Sequence, residues 1–398
     1  MTDTRPVIRL KPKANARAIR HGAPWVFDNE MVTDRRSRAI APGTVARLED
    51  GDRNPLGTVA VNPTSRIFAR MLDRDPEAEI DHAWLSAKLR TALDHRARLY
   101  DAPFYRLVHA EADGLPGVVI DRFGDVAAIQ PNAAWAEVLF DTLALSVVEV
   151  TGVTTVVKNA SGRSRALEGL EEGVEVTQGA LDGPVPVPMN GATYMADLLG
   201  GQKTGLFFDQ RPNHAFAAEL SRGGRVLDVF SHVGGFALAC LAGGATHALS
   251  VDGSAPALDL ARQGAEAGGM ADRFEARQGD AFDTLAALGE AGETFDVVIC
   301  DPPAFAPNKQ ALEAGLRAYE RIARLAAPLV APGGYLGLCS CSHAADLDRF
   351  RRASTRGIGR AGRAGQLIHT GFAGPDHPQH PALAESGYLK ALFYRLTA

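Results

Sequence analysis

Cysteine is scarce in this chain, with four residues among 398. Cys240, Cys300, Cys339 and Cys341 show no paired spacing of the kind that builds a disulfide framework or a zinc site, so no metal is expected. No apolar stretch reaches the roughly 18 residues of a membrane span, and the N-terminal residues lack the apolar core of a signal peptide. The expectation is a chain with no membrane contact, working in a reducing cytoplasm. An excess of positive charge is also missing. The net charge of −5 excludes a generic nucleic-acid coat. A G-x-G-x-x-G fingerprint is absent, which disfavours a pyrophosphate-bearing dinucleotide.

What is present is unevenly placed. Residues 1–40 hold nine Lys or Arg against four acids, and Arg349–Arg363 holds six Arg and no acid. Localised basic patches on an acidic chain suit selective contact with a phosphate backbone, here from Lys11, Lys13, Arg17 and Arg20, whereas each run taken alone is equally well a solvated face. Residues 1–74 read as a small β-rich domain with short strands between turn signals at Pro42-Gly43, Asp50-Gly51 and Asn62-Pro63. Trp25 and Phe27 are assigned to its core. Residues 75–195 read as a central α+β domain, with a helix over Asp81–Leu99, a hairpin over Leu107–Ile129, a helix over Trp135–Val147 and further strands. From about 196 to 398 the pattern is βα alternation, which predicts a mostly parallel sheet covered by helices. Arg349–Gly365 reads as an Arg/Gly-rich low-complexity stretch.

The last segment is organised around R-V-L-D-V-F-S-H-V-G-G-F at Arg225–Phe236. An apolar strand runs into a polar break and a glycine pair, then into a helix, which is where a doubly wound sheet opens its ligand crevice. Acids stand at four successive strand ends: Asp228, Asp252, Asp280 and Asp301. No Lys follows the glycines. Such a crevice repels phosphates but suits a ribose, an exocyclic amine and an ammonium group, and S-adenosylmethionine carries all three.

D-V-F-S-H-V-G-G-F, S-V-D-G-S, Q-G-D-A-F and D-P-P-A-F, in that order, resemble the motifs of class I S-adenosylmethionine-dependent methyltransferases. E-A-D-G-L-P-G at Glu111–Gly117, the stretch from Gly201 through Phe208-Asp209-Gln210-Arg211, and C-S-C-S at Cys339–Ser342 narrow the resemblance. They are similar to the bacterial large-subunit (23S) rRNA cytosine-5-methyltransferases that carry an N-terminal PUA domain. The resemblance implies a Rossmann-like catalytic domain, an N-terminal PUA β-barrel and S-adenosylmethionine as cofactor. It places the methionine amine at Asp228, the methionine backbone at Gly234 beside Phe230, Ser231 and Gly235, the ribose at Asp252 with Ser254, and the adenine at Asp280 with Ala281. Gln202–Arg211, including Phe208, Gln210 and Arg211, caps the cofactor, with Arg211 for its carboxylate. The partner is ribosomal RNA before full assembly of the large subunit; a homodimer stays open.

Carbon 5 of a pyrimidine is a weak nucleophile until a thiolate adds at carbon 6. Cys339 and Cys341, two apart on the last parallel strand, share a face, and Cys341 is nearer the crevice, so Cys341 is the expected nucleophile. Asp301 meets the ring nitrogen or amine of the base, Pro302 and Pro303 fix carbonyls toward it, Phe305 stacks on it, and Lys309 contacts a flanking phosphate. Two other readings stay open. One is purine N-methylation by D-P-P-A-F without a cysteine; the other is an RNA-binding assembly protein with an idle cofactor site.

Overall fold

A computed structural model describes residues 5–162, 164–201 and 205–397. The chain folds as two compact units. The first comprises Met1–Gly183, Leu198–Thr204 and Pro375–Ser386; the second comprises Pro184–Asp197, Gly205–Gly374 and Gly387–Ala398.

In the first unit, β1 (Val7–Arg9), α1 (Ala16–Arg20), β2 (Trp25–Phe27), α2 (Arg35–Arg38), β3 (Thr44–Glu49), β4 (Pro55–Val61) and β5 (Ile67–Asp73) are the N-terminal elements. Their strands form a five-stranded sheet in the order β1-β3-β4-β5-β2. Ile8, Val26, Leu48, Val59 and Phe68 close its core. Because alternate strand residues face opposite sides, Val26 is the buried residue of β2. Its neighbours are not core as expected: Phe27 is 40% exposed, and Trp25 is half-buried with its indole N–H donated to Glu111 at 2.8 Å.

After α3 (His82–Ala97) come β6 (Phe104–His109), β7 (Val118–Phe123), β8 (Val126–Pro131), α4 (Ala134–Val138), α5 (Phe140–Thr151), β9 (Thr155–Ala160), α6 (Ser164–Glu168) and β10 (Gly173–Gln178). They build a second five-stranded sheet, β10-β9-β8-β7-β6. The region expected to be one hairpin is thus a three-stranded meander, because Ala112–Gly114 and Phe123–Gly124 each reverse the chain. The expected single helix over 135–147 is two, meeting at Leu139.

The second unit begins with a hairpin, β11 (Val185–Met189) and β12 (Ala192–Ala196). There follow α7 (Arg211–Leu220), β13 (Arg225–Val229), α8 (Gly235–Ala242), β14 (His247–Asp252), α9 (Ala255–Ala267), β15 (Phe274–Gln278), α10 (Ala281–Glu290), β16 (Phe295–Cys300), α11 (Leu312–Ala326), β17 (Val330–Ser340), α12 (Leu347–Arg360), β18 (Ala364–Gly371) and β19 (Lys390–Thr397). The sheet order is β15-β14-β13-β16-β17-β19-β18. Strands β13 to β17 are parallel. β13 lies between β14 and β16, so the order reverses there and a crevice opens beyond its carboxyl end. The alternation does not continue to the end of the chain: β19 enters antiparallel beside β17 and β18 antiparallel beside β19.

The Arg/Gly-rich stretch is mainly helix rather than low complexity. Asp346 caps α12, and Phe350, Ala353, Gly357 and Ile358 are buried at helical spacing. Its arginines are partly neutralised, Arg351 and Arg352 by Asp348, and Arg356 and Arg360 by Glu320. No helix among the described residues is long and apolar enough to cross a membrane.

Candidate active site

The crevice is lined from the carboxyl ends of β13, β14, β15, β16 and β17. At the first, the backbone takes a left-handed conformation three times in five residues, with φ of 63° at Phe230, 50° at His232 and 79° at Gly234. Side chains rarely accept this, and such strain clusters where a ligand is gripped. Asp252 stabilises the loop: one carboxylate oxygen accepts from His232 N at 2.8 Å and the other from Ser254 N at 2.8 Å. Ser254 itself caps α9. Gly235 has no room for a side chain, since a Cβ there would stand 2.8 Å from His214 Nε2. His214 packs edge-on against Phe236 and alongside Tyr194, whose hydroxyl donates to Gly235 O at 3.1 Å. Burial drives the His214 imidazole down to about 3, so it is neutral. Gly235→Ala is therefore expected to destabilise the protein by about 1–3 kcal/mol, read as a lower urea midpoint with an unchanged m-value.

Asp228 is fully buried. One carboxylate oxygen accepts from Ala237 N at 2.9 Å at the start of α8, where the helix dipole favours an anion. The other, Oδ1, is buried with no hydrogen-bond partner among the described residues. Burial, with the Asp252 charge adding to it, lifts this carboxyl to about 7 against the helix N–H. Ser231 Oγ is likewise buried and unpartnered among the described residues. Asp280 is the exposed cap of α10, accepting from Phe282 N and Asp283 N through Oδ1, and Ala281 beside it is buried.

At the β16 end, Asp301 N donates to Val229 O at 3.1 Å, and its Oδ2 accepts from Gln210 Nε2 at 2.9 Å. Asn213 holds the Gln210 carbonyl at 2.6 Å. Gln210, expected to cap the cofactor, is thus buried as a brace on Asp301. Phe208 is 1% exposed, with the Arg211 guanidinium 5.9 Å from its ring centroid. Asp209 accepts from Tyr388 OH at 2.6 Å. Gln202, Lys203 and Thr204 of the expected cap lie outside the described residues. Pro302 is buried, while Pro303 and Lys309 are exposed. The Phe305 ring meets Phe230 and Phe282, each at 6.2 Å, and Tyr319 at 5.1 Å, joining three strand ends in one aromatic cluster.

Cys339 and Cys341 do not lie on one strand. β17 ends at Ser340, Cys339 is buried and Cys341 stands half-exposed just beyond. Burial, with Asp301 beside it, pushes the Cys339 thiol well up. The serines flanking Cys341 are buried. Ser340 Oγ donates to Tyr319 OH at 2.9 Å, and the Tyr319 and Ser342 hydroxyls lie 2.7 Å apart. Ser342 Oγ also accepts from Ala306 N at 2.9 Å, which ties the D-P-P-A-F loop to the cysteine turn. Tyr194, His214, Tyr319 and Lys390 are site residues that no sequence motif marks. Ser340 and Ser342 fall within the C-S-C-S motif and so carry a signal.

Residues 178–395 match the model of the S-adenosylmethionine-dependent methyltransferase family. The chain belongs to that family. Residues 8–74 of this methyltransferase match a PUA-like domain. Ribosomal RNA large subunit methyltransferase I of Cronobacter sakazakii is 34% identical over 95% of the chain and 96% of its own length. Ribosomal RNA large subunit methyltransferase of Deinococcus radiodurans is 34% identical over 98% of each. A solved Streptococcus mutans structure, described as a SAM-dependent methyltransferase, superposes with a TM-score of 0.80 at 18% identity, covering 98% of this chain and 100% of that one.

The cofactor of the methyltransferase is S-adenosylmethionine, and the crevice fits it. The Asp228 oxygen left without a partner among the described residues lies buried where an ammonium would satisfy it, and the glycine loop admits close backbone approach.

Proposed function

We propose that this methyltransferase methylates carbon 5 of a cytosine in large-subunit ribosomal RNA through a covalent adduct on Cys341. The observation that carries the proposal is the half-exposed cysteine at the β17 end, joined through Ser342 to the loop that follows Asp301. Both curated relatives are named as large-subunit rRNA methyltransferases, and the PUA-like match supports an RNA substrate.

S-adenosylmethionine supplies the methyl group as a sulfonium electrophile. Asp228 meets its ammonium, the Phe230–Gly235 loop its methionine backbone, Asp252 and Ser254 its ribose, and Asp280 with Ala281 its adenine edge. The target cytosine is splayed out of the RNA to reach the crevice. Phe305 stacks on the ring, the Pro302-Pro303 carbonyls border it, and Asp301, braced by Gln210, engages its amine or ring nitrogen. The Cys341 thiolate forms a bond to carbon 6, so that carbon 5 becomes the nucleophile. Once carbon 5 is methylated, a base takes its proton, the C–H electron pair restores the double bond, and the carbon 6–sulfur bond breaks to release the thiolate. Residues 1–74 serve as the RNA anchor through the exposed Lys11 and Arg17, with Lys309 on a flanking phosphate; residues 75–195 are a central domain and 196–398 the catalytic one.

Nucleoside mass spectrometry of rRNA methylated by the purified protein tests the reading. 5-Methylcytidine is the expected product. An N-methylated purine would overturn it in favour of D-P-P-A-F acting without the cysteine.

A further inference from the structure

Lys390 is the first residue of β19, and it is 4% exposed. A buried ammonium is costly unless it is both hydrogen-bonded and paired with an anion. Its hydrogen bonds are clear: Nζ donates to Ser342 O at 2.8 Å and to Ala345 O at 2.8 Å. Two neutral carbonyls do not by themselves compensate the charge, and they take two of the three N–H donors among the described residues. In register, Lys390 sits opposite Ser340, the residue before Cys341, while its ammonium holds the carbonyl of the residue after it. The lysine therefore brackets the cysteine.

Few other groups compete for that charge. Asp346 is exposed, caps α12 and pairs with Arg349 at 3.5 Å. Tyr319 from α11 faces the turn through its hydroxyl, already engaged by Ser340 and Ser342. Asp301 at the β16 end is held by Gln210. His343, in the turn itself, is exposed. Burial drives the Lys390 amine down to about 8, and the nearby Cys341 and Asp346 charges act against that fall.

We propose that Lys390 is the counter-cation of the Cys341 thiolate, a positioning residue that keeps the sulfur ionised and aimed by gripping the turn on which it stands. The inference rests on reading Cys341 as the nucleophile. A fixed cation beside a thiol lowers its pKa and makes the thiolate available near neutral pH.

The test is the pH dependence of iodoacetamide alkylation of the full-length protein, followed at the Cys341 peptide by mass spectrometry. Cys240, Cys300 and Cys339 are buried, so Cys341 reacts first. The wild-type midpoint is expected to lie about one unit or more below the 8.5 of a free thiol. Lys390→Met is expected to raise it by about one unit or more, with alkylation at pH 7 about tenfold slower, and Lys390→Arg to restore most of the rate. Calorimetry with S-adenosylmethionine shows whether each variant is folded. Equal midpoints in wild type and folded Lys390→Met would overturn the proposal. Should that variant not fold, the wild-type midpoint decides alone, since a value at or above that of a free thiol is incompatible with the ion pair. If Cys341→Ala keeps full methyl transfer while Lys390 still sets the midpoint, the covalent reading falls and the ion pair stands. If Cys341→Ala is inactive but the midpoint ignores Lys390, the nucleophile stands and Lys390 has no part in activating it.

Discussion

Cys341→Ala is expected to lower methyl transfer to rRNA by on the order of 10^4-fold or more, while S-adenosylmethionine still binds with wild-type affinity. The substitution removes one sulfur from a half-exposed position at the end of β17. The hydrogen bonds of the flanking serines do not pass through that sulfur: Ser340 and Ser342 keep Tyr319, and Ser342 keeps Ala306. The turn and the cofactor crevice therefore survive, and the loss falls on the chemical step. Cys341→Ser is expected to fail almost as badly, because a hydroxyl does not ionise near neutral pH. Transfer of labelled methyl groups to bare rRNA, with calorimetry of cofactor binding in parallel, measures both. Undiminished transfer would eliminate the covalent route and leave Asp301 and Phe305 gripping an exocyclic amine.

The second large effect is expected at Asp228, where stability and binding move in opposite directions. Its carboxyl is raised by burial to about 7. The unfolded chain ionises this group at its ordinary value of 3.8, before the folded protein does. Stability of the cofactor-free protein is thus fullest below that value and is lost as pH rises toward 7, by on the order of 4 kcal/mol at pH 8. Asp228→Asn keeps an oxygen for Ala237 N and removes the charge, so it is expected to raise the melting temperature at pH 8 and to flatten this part of the pH profile. Binding is expected to reverse the sign, because the proposed contact with the ammonium of the cofactor needs the ionised carboxylate. Affinity of the wild type is expected to rise with pH and level off above about pH 7, and binding at pH 6 to release a proton. In Asp228→Asn affinity falls by about 10²-fold or more at pH 8. Melting curves and calorimetry in two buffers of different ionisation enthalpy check both halves. An Asn variant with wild-type affinity would remove Asp228 from the ammonium site.

How far the sequence reaches can be seen residue by residue. Val226–Val229 are apolar around one acid and end in a glycine turn, and that local pattern alone announces a buried parallel strand opening into a crevice. The acids at the ends of the next strands follow from the same alternation, so Asp252, Asp280 and Asp301 were legible without coordinates. The helix over 82–97 and four of the five strands of the N-terminal sheet, all but β2, were legible for the same reason, because hydrophobic period and turn residues are local signals.

Other features have no local signature. The role of Gln210 as a brace has none: its motif assigns it to the cofactor cap, yet Asn213 orients its amide onto Asp301. Tyr319 lies on the buried face of α11, yet its hydroxyl joins the two serines around Cys341. Lys390 opens a strand whose position in the sheet the alternation did not reveal, since β19 inserts antiparallel between β17 and β18.

The sequence by itself determined the catalytic fold, the cofactor and the acids at the strand ends that line the crevice, because each rests on residues a few positions apart. Only the tertiary structure decided which groups brace the acid and surround the cysteine. Those partners are 21 to 91 residues distant along the chain, and a buried hydrogen bond or charge pair is chosen by three-dimensional proximity, not by spacing in sequence.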